Sequence, residues 1–193
     1  MFGTLILLAA PWLGFRLLGA LGVGRFATWR DSAAHGLAVM LVFTSAAHFA
    51  PESVTVMPGH ADMVAMVPPF VPFPGLMVYA TGVLEFLGAL GLVLIATRSA
   101  AGTALATLFV LMFPANVYAA IADVTFDGDP ATPLWFRIPE QIVFITIALW
   151  GAGRLSRPGP DHAAWPRAAH RNLYGNQPQA LRTERPNVRG AND

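Results

Sequence analysis

The sequence predicts an all-α, polytopic transmembrane bundle: a four-helix core plus an extra N-terminal transmembrane helix. Three observations predict it. Hydrophobic residues make up 55% of the chain and charged residues only 12%. Mean hydropathy is positive, at +0.54. The apolar residues fall in runs of roughly twenty, long enough to cross a bilayer, and a helix satisfies its own backbone groups in lipid.

Residues 1–24 form the first run, apolar from Phe2 onward except for Arg16. It lacks a basic start and a small-residue cleavage site, so it does not read as a cleaved signal peptide. Pro11 and Arg16 leave two readings, a kinked transmembrane helix or a shorter interfacial one. A basic turn, RFATWRD, follows and carries Trp29. Asp31 or Ser32 is placed to cap the next helix, which is expected to run to about Ala50. Thr44, His48 and Glu52 lie four residues apart and share one stripe near its end. His48 is either a core histidine bonded to a backbone carbonyl or a proton carrier, ligand donor or metal ligand paired with Glu52.

Residues 51–74 contain Pro68, Pro69, Pro72 and Pro74, a run that excludes regular helix. It reads as a semi-rigid lid at the membrane surface, with one amphipathic turn over 62–66, and it holds His60 and Asp62. The sequence is organised around the hairpin that follows, residues 75–122. Only Thr97, Arg98, Ser99 and Ala100 separate its two apolar arms, which makes them antiparallel neighbours. The first arm carries Glu85; the second carries Asn116 behind Pro114. A carboxylate near mid-membrane costs roughly 2.5–3.5 kcal/mol on insertion scales, so it should face protein or water. Thr81, Gly82, Glu85, Gly88, Ala89, Leu92 and Ala96 fall on one side of the arm. Small residues allow close helix approach in lipid, which places Glu85 within a packing face, as a proton-handling group or as interhelical glue.

Asp123, Asp127 and Asp129 make an acidic loop that lacks the spacing of a calcium loop. The last span, residues 134–150, has Trp135 and Trp150 at its ends, as an aromatic belt predicts. Arg137, Glu140 and Gln141 open it, and Arg137–Glu140 suits a local ion pair. Residues 31–152 thus read as the membrane domain. Residues 153–193 are rich in Arg, Pro, Asn and Gly and read as a disordered cytoplasmic tail. Its charge would hold it near an anionic leaflet; nothing in it supports nucleic-acid binding.

The positive-inside rule sets the topology. The Arg25/Arg30 turn, the Arg98 turn and the tail share one side, and the 51–74 and 123–133 loops share the other. The expected protein is therefore a multi-pass component of a bacterial cytoplasmic membrane, C-terminus inside. That topology gathers His48, Glu52, Glu85, Asn116, Arg137, Glu140 and Gln141 in the outer half of the bilayer, beneath the proline lid. With no Cys and no Lys in the chain, thiol redox chemistry, thiolate metal sites and Schiff bases are excluded. His48, Glu52, His60 and Asp62 match no standard metal spacing.

The pattern His48-Phe49-x-Pro51-Glu52, Met66-Val67-Pro68-Pro69, Thr81-Gly82-Val83-Leu84-Glu85 with Gly88, Thr97-Arg98, and Phe113-Pro114-Ala115-Asn116 resembles the DoxX family of small bacterial membrane proteins. The resemblance covers roughly residues 30–150. It implies a four-helix membrane core, and for some members a link to quinone-dependent oxidation of sulfur compounds or to membrane redox complexes. The extra N-terminal segment, the Arg-rich tail and Glu140 depart from the family pattern. Three functions compete. In the first, an accessory subunit of a membrane redox system binds a quinone in the outer pocket. Glu85 and His48 move protons there; Glu52, Asn116, Arg137, Glu140 and Gln141 line the site, and a partner protein supplies electrons. The second is a small proton-coupled transporter, which at this length requires a homo-oligomer. The third is a non-catalytic scaffold.

Overall fold

The computed structural model describes residues 2–155, apart from 52, 55, 56, 127 and 128. Among them are the long helices α1 (Gly3–Ala20), α2 (Trp29–Ala47), α4 (Pro74–Val93), α5 (Arg98–Ile121) and α6 (Leu134–Gly151), and the short α3 (His60–Ala65). Two-residue strands β1 (Thr125–Phe126) and β2 (Asp129–Pro130) pair antiparallel in the acidic loop. Glu52 and the tail from residue 156 lie outside the described residues.

Helix ends follow local chemistry. α1 runs through Pro11 without a break and stops at Gly22, whose φ of 101° is left-handed. Gly22 N–H donates to the Gly19 carbonyl and Val23 N–H to that of Leu18, the crossed pair that closes a helix on a glycine. Gly153 closes α6 in the same way, through Trp150 and Leu149. The N-cap of α2 is Thr28, not Asp31 or Ser32: its hydroxyl accepts from Asp31 N–H at 3.0 Å. The cap position was misread because Asp31 is engaged elsewhere, as shown below. α2 also ends earlier than expected, with His48 as its C-cap.

The sequence suggests the α4–α5 hairpin as the hub, but the packing puts α2 there. α1, α4 and α6 all lie against α2, and α5 closes the ring between α4 and α6. The reason is side-chain size. Ser32, Ala33, Ala34, Gly36 and Ala38 are all buried on α2, and small residues let helix axes approach closely. A Cβ at Gly36 would sit 2.7 Å from Trp12 Cβ and 2.8 Å from Trp12 Cα.

On α4 the buried residues are Val78, Gly82, Glu85, Gly88, Ala89 and Leu92. This is the small-residue face read from the sequence, shortened because the helix stops before Ala96. Val83, Leu84, Phe86, Leu87 and Leu90 are exposed on the other side. α1, α4 and α5 are long and apolar enough to cross a membrane. α2 and α6 carry more of the buried polar residues.

Gly36→Val is expected to destabilise the protein by about 1–3 kcal/mol, the range for overpacking, because its added atoms meet Trp12 backbone. Gly88→Ala should cost less, since its Cβ meets the Leu105 side chain and no backbone atom. Thermal unfolding in detergent micelles reads both. Equal losses would contradict the packing.

Candidate functional site

The last turn of α2 faces the middle of α4. Gly82 makes this possible, because a Cβ there would lie 2.5 Å from His48 Cβ. His48 and Glu85 meet across the gap, 4% and 5% exposed, with Nε2 3.8 Å from Oε1. His48 Nδ1 lies 2.8 Å from the Val78 carbonyl. A carbonyl only accepts, so Nδ1 carries the proton and Nε2 is the atom turned to Glu85. Thr44, one turn before His48, donates its hydroxyl to Glu85 Oε2 at 2.9 Å. The site is thus a carboxyl group with one oxygen held by a hydroxyl and the other facing an imidazole of fixed tautomer. The 3.8 Å contact exceeds a hydrogen bond; closing it by about 1 Å gives a geometry in which a proton passes between the two groups.

The lid is tied to this site. His60 Nδ1 donates to the His48 carbonyl at 2.9 Å. The His60 ring stacks on Tyr79 with centroids 3.9 Å apart, and Tyr79 stacks on Phe49 at 5.5 Å. Asp62 accepts from Gly59 N–H at 2.8 Å, which starts α3. The run of 51–74 that reads as a lid is therefore anchored over His48 by an aromatic stack.

The other sequence-predicted site residues go elsewhere. Glu140, 2% exposed, accepts from Arg137 Nη1 at 2.7 Å, the expected local ion pair, and also from the Thr4 hydroxyl of α1. It clasps α1 to α6. Gln141 Nε2 donates to the Phe109 carbonyl at 2.5 Å and joins α6 to α5. Asn116 is half-buried on α5. Near it, Pro68, Phe70, Phe113, Pro114, Val117 and Tyr118 line an open apolar groove of about 410 Å³. The contacts thus place the predicted pocket residues at several helix interfaces; among the described residues His48 meets Glu85 and Arg137 meets Glu140. Among the described residues no three His, Asp or Glu side chains gather as a metal site.

A second polar network, at the basic end, escaped sequence reading. Arg98, 8% exposed, donates to Asp31 at 2.6 Å and to the Leu92 carbonyl at 2.8 Å. Arg25 donates to His35 Nε2 and to the Val93 carbonyl, each at 3.0 Å. His35 Nδ1 in turn donates to the Asp31 carbonyl at 2.7 Å. Two arginines thereby satisfy the carbonyls left open at the end of α4. The available signal was Asp31 and Arg98 on predicted same-side turns.

A family model described as a domain of unknown function, DUF8561, matches residues 37–152, and the chain belongs to that family. No curated protein and no solved structure matches it.

Asp31→Asn should cost roughly 1–3 kcal/mol, because it leaves a buried guanidinium without its carboxylate. In a double-mutant cycle with Arg98→Gln, read by thermal unfolding, the two losses should fall short of additivity by at least about 0.5 kcal/mol. Strict additivity would show that the contact carries no energy.

Proposed function

We propose that this DUF8561 protein is a multi-pass protein of a bacterial cytoplasmic membrane that acts as a quinone-linked accessory subunit of a redox system, as its resemblance to DoxX proteins implies. The observation that carries the reading is the buried His48–Glu85 pair. An acid within apolar helices is costly and tends to serve function, and a histidine beside it makes a proton donor and acceptor of adjustable state. Reduction of a quinone consumes protons with its electrons. In this reading Glu85 and His48 deliver the protons, and a partner protein delivers the electrons. The apolar groove beside Phe113 and Pro114 suits the prenyl tail, and the half-buried Asn116 amide on the same stretch of α5 suits a quinone carbonyl.

The membrane assignment draws on the exposed apolar faces of α1, α4 and α5. Leu13, Leu17, Leu84, Leu87, Val110 and Leu111 are among many large side chains left exposed, which lipid would cover and water would not. In this reading the Arg98 end lies in the cytoplasm and the lid lies outside.

A second reading is favoured by Glu140 and Gln141. Both join helices, Glu140 through Thr4 and Gln141 through the Phe109 carbonyl, as a non-catalytic scaffold requires. In that reading His48 and Glu85 do the same for α2 and α4. Proton-coupled transport remains the third use of the same pair.

Protein purified in mild detergent should yield a quinone in its organic extract. His48→Gln and Glu85→Gln, inserted in normal amount, should each retain roughly tenfold less, the scale of one hydrogen bond to a charged group. A quinone-free wild type, or variants that keep it in full, sinks the redox reading and leaves the scaffold. Topology has its own check. Single cysteines at Ser99 and at Ala61 should differ towards an impermeant thiol reagent in intact cells, with only the second labelled. The reverse pattern would invert the assignment.

A further inference from the structure

From Met63 to Leu84 the chain carries no charged residue. This stretch holds the far end of the lid and the first half of α4. Pro68 is buried at its base and lines the groove beside α5. There the chain turns: Val71 N–H donates to the Pro68 carbonyl at 2.9 Å. Pro69 takes the second position of the turn, which its fixed φ suits, and Phe70 the third. Phe70 is 81% exposed, and Phe73, the N-cap of α4, is 74% exposed.

At Phe73 that exposure comes with strain. Its φ of 52° is left-handed, a conformation disfavoured for a bulky residue, and its exposure leaves little packing within the protein to offset the cost. The apolar surface continues along the chain. Leu76 and Met77 are exposed, then Val83, Leu84 and Leu87 on the outward side of α4. Trp135, exposed at the second position of α6, stands at the same end of the bundle, as a residue of an aromatic belt would. The backbone of the turn suits such a place. Irregular backbone is kept out of hydrocarbon by N–H groups that lipid cannot satisfy. Four of the seven residues 68–74 are proline and have no N–H, and the Val71 N–H is bonded within the turn.

We propose that the turn at Pro69 and Phe70 lies on the outer leaflet and dips the Phe70 and Phe73 rings among its upper acyl chains. This rests on the membrane reading above, not on the quinone reading. The partner is lipid hydrocarbon, because the patch is continuous with the outward apolar side of α4. An interface with another protein carries a polar rim, and this stretch offers no charge for one. The lid is then held on two sides, by His60 at the His48 carbonyl and by lipid at Phe70. The groove that Phe70 lines opens toward acyl chains rather than water.

Spin labels in the full chain, reconstituted in phosphatidylcholine–phosphatidylglycerol vesicles, read the depth. The chain has no cysteine of its own, so Phe70→Cys, Leu87→Cys and Ala61→Cys each carry one label. Oxygen concentrates in hydrocarbon and a nickel chelate in water. The Phe70 label should be relaxed by oxygen and shielded from the chelate, at a shallow depth of roughly 5–10 Å, that of an interfacial apolar face. Leu87 should read deeper, and Ala61 should show the reverse preference. Chelate access at Phe70 places the turn in water and overturns the inference. Shielding from both reagents places protein there, a partner or a second copy, and overturns it as well. Should Phe70→Cys fail to insert, wild-type protein in vesicles with an acyl-chain diazirine decides: crosslinks on Phe70 or Phe73 support the inference, and crosslinks confined elsewhere overturn it. Chelate access at Leu87 overturns the membrane reading and this inference together. A lipid signal at Leu87 with a water signal at Phe70 overturns this inference alone.

Discussion

Close approach of α2 to its neighbours is the constraint on which the rest depends. The interfaces of α2 with α1, α4 and α6 are set by it. Gly36 admits α1 at Trp12, Gly82 admits His48, and Gly151 brings α6 against Ala34. Apolar surface burial is a weak driving force between helices already in an apolar surrounding, so packing and hydrogen bonds must hold such a bundle. Substituting bulk for these small residues would separate the helices and strand the polar groups between them.

The polar groups are then placed by the backbone they complete. Arg98 and Arg25 reach the last carbonyls of α4, Gln141 reaches Phe109 in mid-helix, and His48 reaches Val78. Each is a side chain donating to a carbonyl on another segment, which is the cheapest way to satisfy a buried donor where water is scarce. The Glu140–Thr4 contact joins α1 differently, through a hydroxyl that donates to a side-chain carboxylate. That contact reaches outside the stretch matched by the family model, since Thr4 precedes residue 37. α1 is therefore built into this bundle through a residue of the family region.

Much of this was legible in the sequence, unevenly. The buried face of α4 could be read because glycine, alanine and glutamate recur at helical spacing against a background of leucine and valine. The Arg137–Glu140 pair could be read because its partners are three residues apart. The hub could not be read. α2 looks less apolar than α4 or α5, and its centrality comes from packing on α4 and α6, which are distant in sequence, as well as on its neighbour α1. The common outer pocket was inferred from depth alone. Depth places residues along the membrane normal but not around the bundle axis, so it did not reveal that Glu140 bonds to Thr4 of α1 and Gln141 to Phe109 of α5. The cap of α2 was misread because Asp31 makes a better ion-pair partner for Arg98 than a cap, while Thr28 was available for the cap.

The two ends of the bundle differ in how tightly their charges are held. At the basic end Asp31 and Arg98 are 2.6 Å apart, and both arginines there also grip backbone carbonyls. Nothing in that network can move without stranding a helix terminus. At the other end His48 and Glu85 stand 3.8 Å apart, each anchored on one side and open to the other across the gap. The entry to α4 there passes through Phe73 in the left-handed region, at φ 52°, a conformation that is costly for a bulky residue. The segment that carries this strain is the one tied to the His48 carbonyl through His60. A shift of the lid would therefore act on the backbone at the end of α2, where a displacement of about 1 Å decides whether His48 and Glu85 merely face each other or share a proton.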